Sequence, residues 1–226
     1  MKNSILFVAA IVVFVSYLCI PASAKGTLSN TNPEPTEKSS VADTQIITLP
    51  EKSIGSNDAP IVIEEYASFG CSHCADFILK VLPVIESKYI ETGKVKLIFK
   101  DFPLDSVSIK ASAIASCMPP ERYLPFAKTI YEALASGSLG KEKSMQAIED
   151  KLVLYASLGG LDSEKARACA NDKARQNAVI QSRLDAEKAY SISGTPAFVI
   201  NNGKKILFGF QSVEALSAVI DQLLAN

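Results

Sequence analysis

Residues Phe69–Cys74 read Phe-Gly-Cys-Ser-His-Cys, so Cys71 and Cys74 stand three positions apart with His73, the chain's only histidine, between them. A cysteine pair at this spacing suits three chemistries: a metal clip, a structural staple, or a dithiol that exchanges disulfides. A structural zinc takes four ligands. Beyond this cluster the candidates are Cys117 and Cys169, each alone in its stretch without a second cysteine or histidine at ligand spacing. A 71–74 disulfide closes so small a loop that it restrains the unfolded chain little. Thiol–disulfide exchange therefore uses the pair best, and no metal or other cofactor is expected.

The compartment matters as much as the spacing. Met1–Ser4 carries Lys2, an apolar run fills Ile5–Ile20, Pro21 breaks it and Ala22-Ser23-Ala24 follows. These are the three parts of a secretory signal, with cleavage expected after Ala24. A retained membrane anchor is the other reading, although the run falls short of the ~20 residues of a spanning helix. Either way the bulk of the chain lies outside the cytoplasm, in a periplasmic setting, and is membrane-anchored if the segment is kept. Removing Cys19 leaves Cys71, Cys74, Cys117 and Cys169, an even set in an oxidising compartment, which favours disulfides over metal. Lys and Arg total 23 against 24 Asp and Glu, with no basic stripe, which excludes an electrostatic footprint for nucleic acid.

The elements that must position the cysteines follow from periodicity. Residues 25–43 are polar and Pro-rich with little to bury, a flexible linker. A short strand is expected over Gln45–Leu49, ended by Pro50, and a buried strand over Ile61–Tyr66. After the cysteines comes a helix to about Ile90, apolar at Phe77, Ile78, Val81, Leu82, Ile85 and Tyr89, with a kink at Pro83. Val95–Phe99 is a second buried strand, completing a βαβ unit with parallel strands. Helical segments then run over Ser106–Met118, Glu121–Ala135, Lys141–Ser157 and Ser163–Tyr190, too much helix for a loop. Ala197–Asn201 and Lys204–Phe208 form a hairpin about Asn202-Gly203, and Ser212 caps a last helix. The expected divisions are 1–24 signal, 25–43 linker, 44–102 and 192–226 the two parts of one α/β domain, and 103–191 a helical insertion.

On this plan Cys71 sits where strand meets helix. Unpaired N–H groups and the positive dipole end favour an anion there, and should depress its pKa. Cys74, one turn deeper, becomes the resolving thiol. His73 can stabilise the Cys71 thiolate through its ring N–H or its positive charge, and a stabilised dithiol makes the disulfide a strong oxidant.

The element order, together with Phe69–Cys74, Lys100–Leu104 (KDFPL) and Gly194–Asn201 (GTPAFVIN), resembles the DsbA family of exported thiol–disulfide oxidoreductases within the thioredoxin superfamily. The resemblance implies a thioredoxin fold with an inserted all-helical subdomain. It implies a cis-Pro196 facing the cysteines, with Thr195-Pro196 lining the groove where substrate backbone docks. It also implies a partly buried acid below the disulfide that takes up protons. Glu65 fits that place, Glu64 points the other way, and Lys100 is its expected charge partner, with two solvated edge charges as the plainer alternative. Ser72 departs from the proline or glycine that often precedes the histidine in oxidising relatives. Free thiols are a liability outside the cytoplasm, so a Cys117–Cys169 bond is favoured over two isolated thiols, and some family members carry one. The expected partners are reduced or unfolded exported polypeptides and a membrane quinone-linked, DsbB-like protein that re-oxidises the pair, with the chain acting as a monomer. An isomerase or reductase of the same fold, and a non-catalytic binding or chaperone module, stay open at this point.

Overall fold

The computed structural model describes residues 47–225. The expected signal segment, the linker and the start of the first expected strand lie outside the described residues.

β1 (Lys52–Ile54), β2 (Ile61–Ala67), β3 (Val95–Asp101), β4 (Ala197–Ile200) and β5 (Lys205–Phe208) form one mixed sheet in the order β1-β3-β2-β4-β5. The central pair, β2 and β3, is parallel from Ile61↔Val95 to Ala67↔Asp101, and the other pairings are antiparallel. The first strand is not where strand-like composition suggested. Ile47–Pro50 form no strand, and β1 starts at Lys52. The reason lies in the register: Lys52 faces Phe99, so Pro50 falls opposite Asp101, where β3 ends, and Ile47–Leu49 run past the end of that strand. Pro50 also has no N–H to donate.

Between β2 and β3 the chain is helical from Ser72 to Ile90, but not uniformly. α1 (Ser72–Asp76) passes through a π turn (Phe77–Val81) into α2 (Leu82–Ile85) and a second π turn (Glu86–Ile90). Pro83 interrupts the i→i−4 ladder because its nitrogen carries no hydrogen, and the widened turns on either side take up the disturbance.

Between β3 and β4 come α3 (Ser106–Ala115), α4 (Pro120–Ala135), α5 (Met145–Leu158), α6 (Ser163–Asn171) and α7 (Lys173–Tyr190). The single helix expected over Ser163–Tyr190 is two. Asp172 leaves the helical region, and its carboxylate accepts the N–H groups of Ala174 and Arg175 at 2.9 and 3.3 Å, an N-cap that starts α7 afresh. α5 begins four residues later than periodicity suggested, because Ser144 caps it through the Ala147 N–H. A disulfide joins Cys117, just beyond α3, to Cys169 of α6 across 6.5 Å between Cα atoms.

α8 (Val213–Leu224) closes the chain, capped by Ser212. One core runs from Ile61 and Ile63 of β2 through Phe77 and Ile78 into Phe126 and Ile130 of α4. A smaller core on the sheet's other face gathers Tyr66, Phe102, Ala186, Ile192, Ala197 and Val199.

Beyond its three-residue backbone pairing with β3, the short edge strand β1 is tied to the sheet by an ion pair. Lys52 Nζ lies 2.5 Å from Asp101 Oδ2, both side chains nearly sealed from solvent, with the ammonium 5.2 Å from the Tyr123 ring centre. A charge left alone in such a place costs more than the pair returns. Asp101→Ala should therefore lower unfolding free energy by about 3–5 kcal/mol. The double variant Lys52→Met/Asp101→Leu should recover most of that loss in urea titration. Equal losses in single and double variants would contradict this account.

Candidate active site

β2 is a central strand, and its side chains alternate between faces. Glu65 turns into the main core and is completely buried, with neither carboxylate oxygen hydrogen-bonded. Glu64 turns to the other face and meets Lys100 at 3.2 Å. The expected Glu65–Lys100 pair is thus a Glu64–Lys100 pair, because both side chains project from the same side of the pleat. Solvated edge charges are likewise excluded for Glu65, since β3 and β4 flank β2.

Ser68–Gly70 link β2 to the helix, and Cys71 is the N-cap residue of α1, extended at φ −93 and ψ 118. Its carbonyl accepts the Ala75 N–H at 3.1 Å, so its sulfur sits at the start of the helix. Cys71 is half-buried and Cys74 fully buried, both as free thiols. The Thr195–Pro196 peptide bond is cis, and the Cys71 thiol donates to the Thr195 carbonyl at 3.4 Å. Chain segments 124 residues apart therefore meet at one sulfur.

The two cysteines are driven in opposite directions. Cys71 falls to about 5, chiefly because the Cys74 S–H donates to its thiolate; burial opposes this, and the Thr195 side chain and the backbone N–H groups of Cys74 and His73 add to it. The Thr195 hydroxyl, buried and without a partner beside the neutral thiol, is the donor that ionisation would engage. Cys74 is pushed up by burial first, then by its bond to Cys71 and the charges of Glu65 and Cys71. Glu65 is held well above the usual carboxylate range by burial, and the Cys71 thiolate raises it further. A carboxyl kept neutral in a dry site beside two thiols has the chemistry to exchange a proton with them.

His73 is exposed, and its ring lies 6.3 Å from that of Phe210 at 40°. What reaches the Cys71 sulfur from His73 is its backbone N–H. Among the described residues no three His, Cys, Asp or Glu side chains converge as metal ligands would.

Around the site, Phe69 belongs to the cysteine motif, while Ser68, Ser108, Tyr131 and Phe210 carry no mark in the sequence. Ser68, Ser108 and Tyr131 bond the loop before Cys71. Phe69 stacks on Tyr131 at 5.3 Å, and Phe210 lies beside His73. Only Asp105, a capping aspartate at the start of a helical stretch, had a readable signal, and that signal concerned α3.

The family model for thioredoxin matches residues 48–222. The solved structure of Wolbachia pipientis alpha-DsbA1 is 31% identical, with a TM-score of 0.67, covering 78% of this chain and 94% of that one. The chain belongs to the DsbA family. A Rickettsia bellii relative, provisionally named a protein-disulfide oxidoreductase, is 26% identical over 172 residues, covering 76% of this chain and 63% of its own length. The chain thus spans less than two thirds of that relative. A Novosphingobium aromaticivorans structure titled protein-disulfide isomerase shares the DsbA-type fold at 19% identity and a TM-score of 0.65, covering 78% of this chain and 99% of its own.

Two measurements follow from the opposed ionisations. A cysteine depressed from 9.0 to about 5 stabilises the folded dithiol above the upper value, and that contribution is lost as pH falls through the lower one. The stability of the reduced protein relative to the disulfide form should therefore decline between about pH 9 and pH 5, and a flat difference would contradict the assignment. Glu65 has the opposite sign: its raised pKa favours folding at low pH and costs stability above its unfolded value. Glu65→Gln should then raise the urea midpoint at about pH 8 and much less at about pH 4.

Proposed function

We propose that the protein is an exported thiol–disulfide oxidase, which donates the Cys71–Cys74 disulfide to reduced polypeptides. The observation that carries this reading is the stabilised Cys71 thiolate, with a pKa of about 5, beside a resolving thiol held up by burial. Stabilising the reduced pair makes its disulfide the better oxidant.

The steps balance as follows. A substrate thiolate attacks Cys71 Sγ, the only sulfur of the pair with solvent access; the Cys71–Cys74 bond breaks as the mixed disulfide forms. Cys74 leaves as a thiolate in a site that resists charge, and Glu65 is the buried acid placed to give it a proton. A second substrate thiolate attacks its own sulfur in the mixed disulfide, and Cys71 leaves as a thiolate held at the helix N-terminus. Two electrons pass to the enzyme, and the substrate gains a disulfide. Re-oxidation then passes the two electrons on to a membrane quinone-linked protein, in keeping with the signal-like amino terminus.

Phe208 and Phe210 are 57% and 42% exposed, and between them the Gly209 N–H donates to the Pro196 carbonyl at 2.9 Å. This apolar rim beside the cis-proline suits extended, unfolded chains.

An isomerase or reductase of the same fold would share every step and differ in equilibrium. Equilibration with glutathione separates them. An oxidase should sit well above the glutathione poise and oxidise reduced ribonuclease, with Cys71→Ser reducing the rate at least about 1000-fold, as loss of a nucleophile does. A potential near about −270 mV, where thioredoxin lies, would sink the oxidase reading.

A further inference from the structure

We infer that Ser108, on α3 of the helical insert, positions the Phe69–Gly70 peptide unit just before Cys71 and so helps aim the Cys71 sulfur at the helix N-terminus. This rests on Cys71 being the attacking thiol. The three residues before Cys71 are held almost entirely from the insert. Ser108 Oγ lies 2.8 Å from Ser68 Oγ and accepts the Gly70 N–H at 3.0 Å. Ser68 Oγ shares that N–H at 3.3 Å and accepts the Leu104 N–H at 3.3 Å. The Ser68 carbonyl takes two donors, the Cys71 N–H at 3.0 Å and the Tyr131 hydroxyl at 3.3 Å.

The three side chains are sealed from water, with Ser108, Ser68 and Tyr131 0%, 1% and 3% exposed, although Gly70 itself lies at the surface. Ser108 is itself fixed: its N–H donates to the Asp105 carboxylate at 2.7 Å. The contact is also closed sterically. A Cβ at Gly70 would stand 2.3 Å from Asp105 Oδ2 and 3.1 Å from Ser108 Oγ.

The chain of bonds runs from the cap of α3, through two hydroxyls, to the amide one residue before the nucleophile. A turn of that amide is passed through Gly70 to the backbone of Cys71, whose own N–H is tied to the Ser68 carbonyl of the same loop. Donor strength at sulfur depends steeply on distance and angle, so a small rotation of the loop weakens the His73, Cys74 and Thr195 donors together. Removing the Ser108 hydroxyl takes from the buried Ser68 hydroxyl its hydroxyl partner and from the Gly70 N–H the shorter of its two acceptors, so the loop shifts to re-satisfy them. Ser108 touches no reacting atom. It is a positioning residue, supplied by the insert to a thioredoxin-fold nucleophile.

The test uses the full-length protein, with thiolate absorbance against pH and equilibration with glutathione. Ser108→Ala should raise the Cys71 pKa by about half a unit to one unit. It should also lower the oxidising equilibrium constant threefold to tenfold, where tenfold is about 30 mV. Tyr131→Phe removes one donor from the Ser68 carbonyl and should shift both in the same direction by less; it carries the test if Ser108→Ala does not fold. Leu152→Ala, a fully buried α5 residue with no bond to the loop, should lower stability without moving the thiolate. A Ser108→Ala protein that titrates like wild type, or a Leu152→Ala protein that shifts as far, overturns the inference. A wild-type protein that ionises at Cys71 yet exchanges no disulfides sinks the oxidase reading and leaves the Ser108 shift standing.

Discussion

A thiolate on Cys71 is favoured by hydrogen-bond donors that converge on its sulfur. Its donors are the Cys74 S–H, the Thr195 side chain and two backbone N–H groups at the start of α1. Such donors act only at short range and good angles, which places demands on distant parts of the chain. β2 must end so that Cys71 caps a helix, and Thr195-Pro196, far along the chain, must return to the same sulfur. A buried carboxyl beneath must stay neutral, because a second negative charge there would work against the first. Glu65 satisfies this by losing every hydrogen-bond partner, a condition that would be a defect elsewhere in a core.

The helical insert is part of this arrangement rather than an appendage to it. α4 contributes Phe126 and Tyr131, which flank Phe69, and the same core continues into the insert without a polar seam. α3 reaches the loop before the nucleophile through Ser108. The Cys117–Cys169 bond then fastens the region after α3 to α6, so that the support for the loop is itself braced. Rigidity at the site is therefore borrowed from helices that lie outside the sheet.

Periodicity and turn chemistry made much of the fold legible. β2 and β3 read as buried strands because both faces of a central strand are covered, and Asn202-Gly203 announced the hairpin by residues that accept positive φ, at 56° and 89°. The elements that read wrongly were those set by partners. β1 depends on where β3 ends, and Asp172 looks like any polar helix residue until its side chain is seen capping α7. At the site, Cys71, Cys74 and Glu65 were legible from spacing and family pattern. Lys100 was assigned to the wrong glutamate, because pairing across a sheet depends on which face each residue takes. Ser108 and Tyr131 were invisible, since a serine or tyrosine in an amphipathic helix carries no sign of which distant loop it will meet.

The hairpin end of the sheet has a bearing on life among unfolded chains. β5 is the outer strand beside β4, and an outer strand offers unpaired backbone groups to any extended segment that drifts by. On the proposed function, which has the protein handling reduced polypeptides, such segments would be met constantly. β5 is only four residues long, it opens on exposed Lys205 directly after exposed Lys204, and it is bounded by the Asn202-Gly203 turn and by Gly209 at φ 77°. Shortness and positive charge make it a poor template for cross-β stacking. Clients of the proposed kind would thus find an apolar rim to touch but no lasting seat on the sheet.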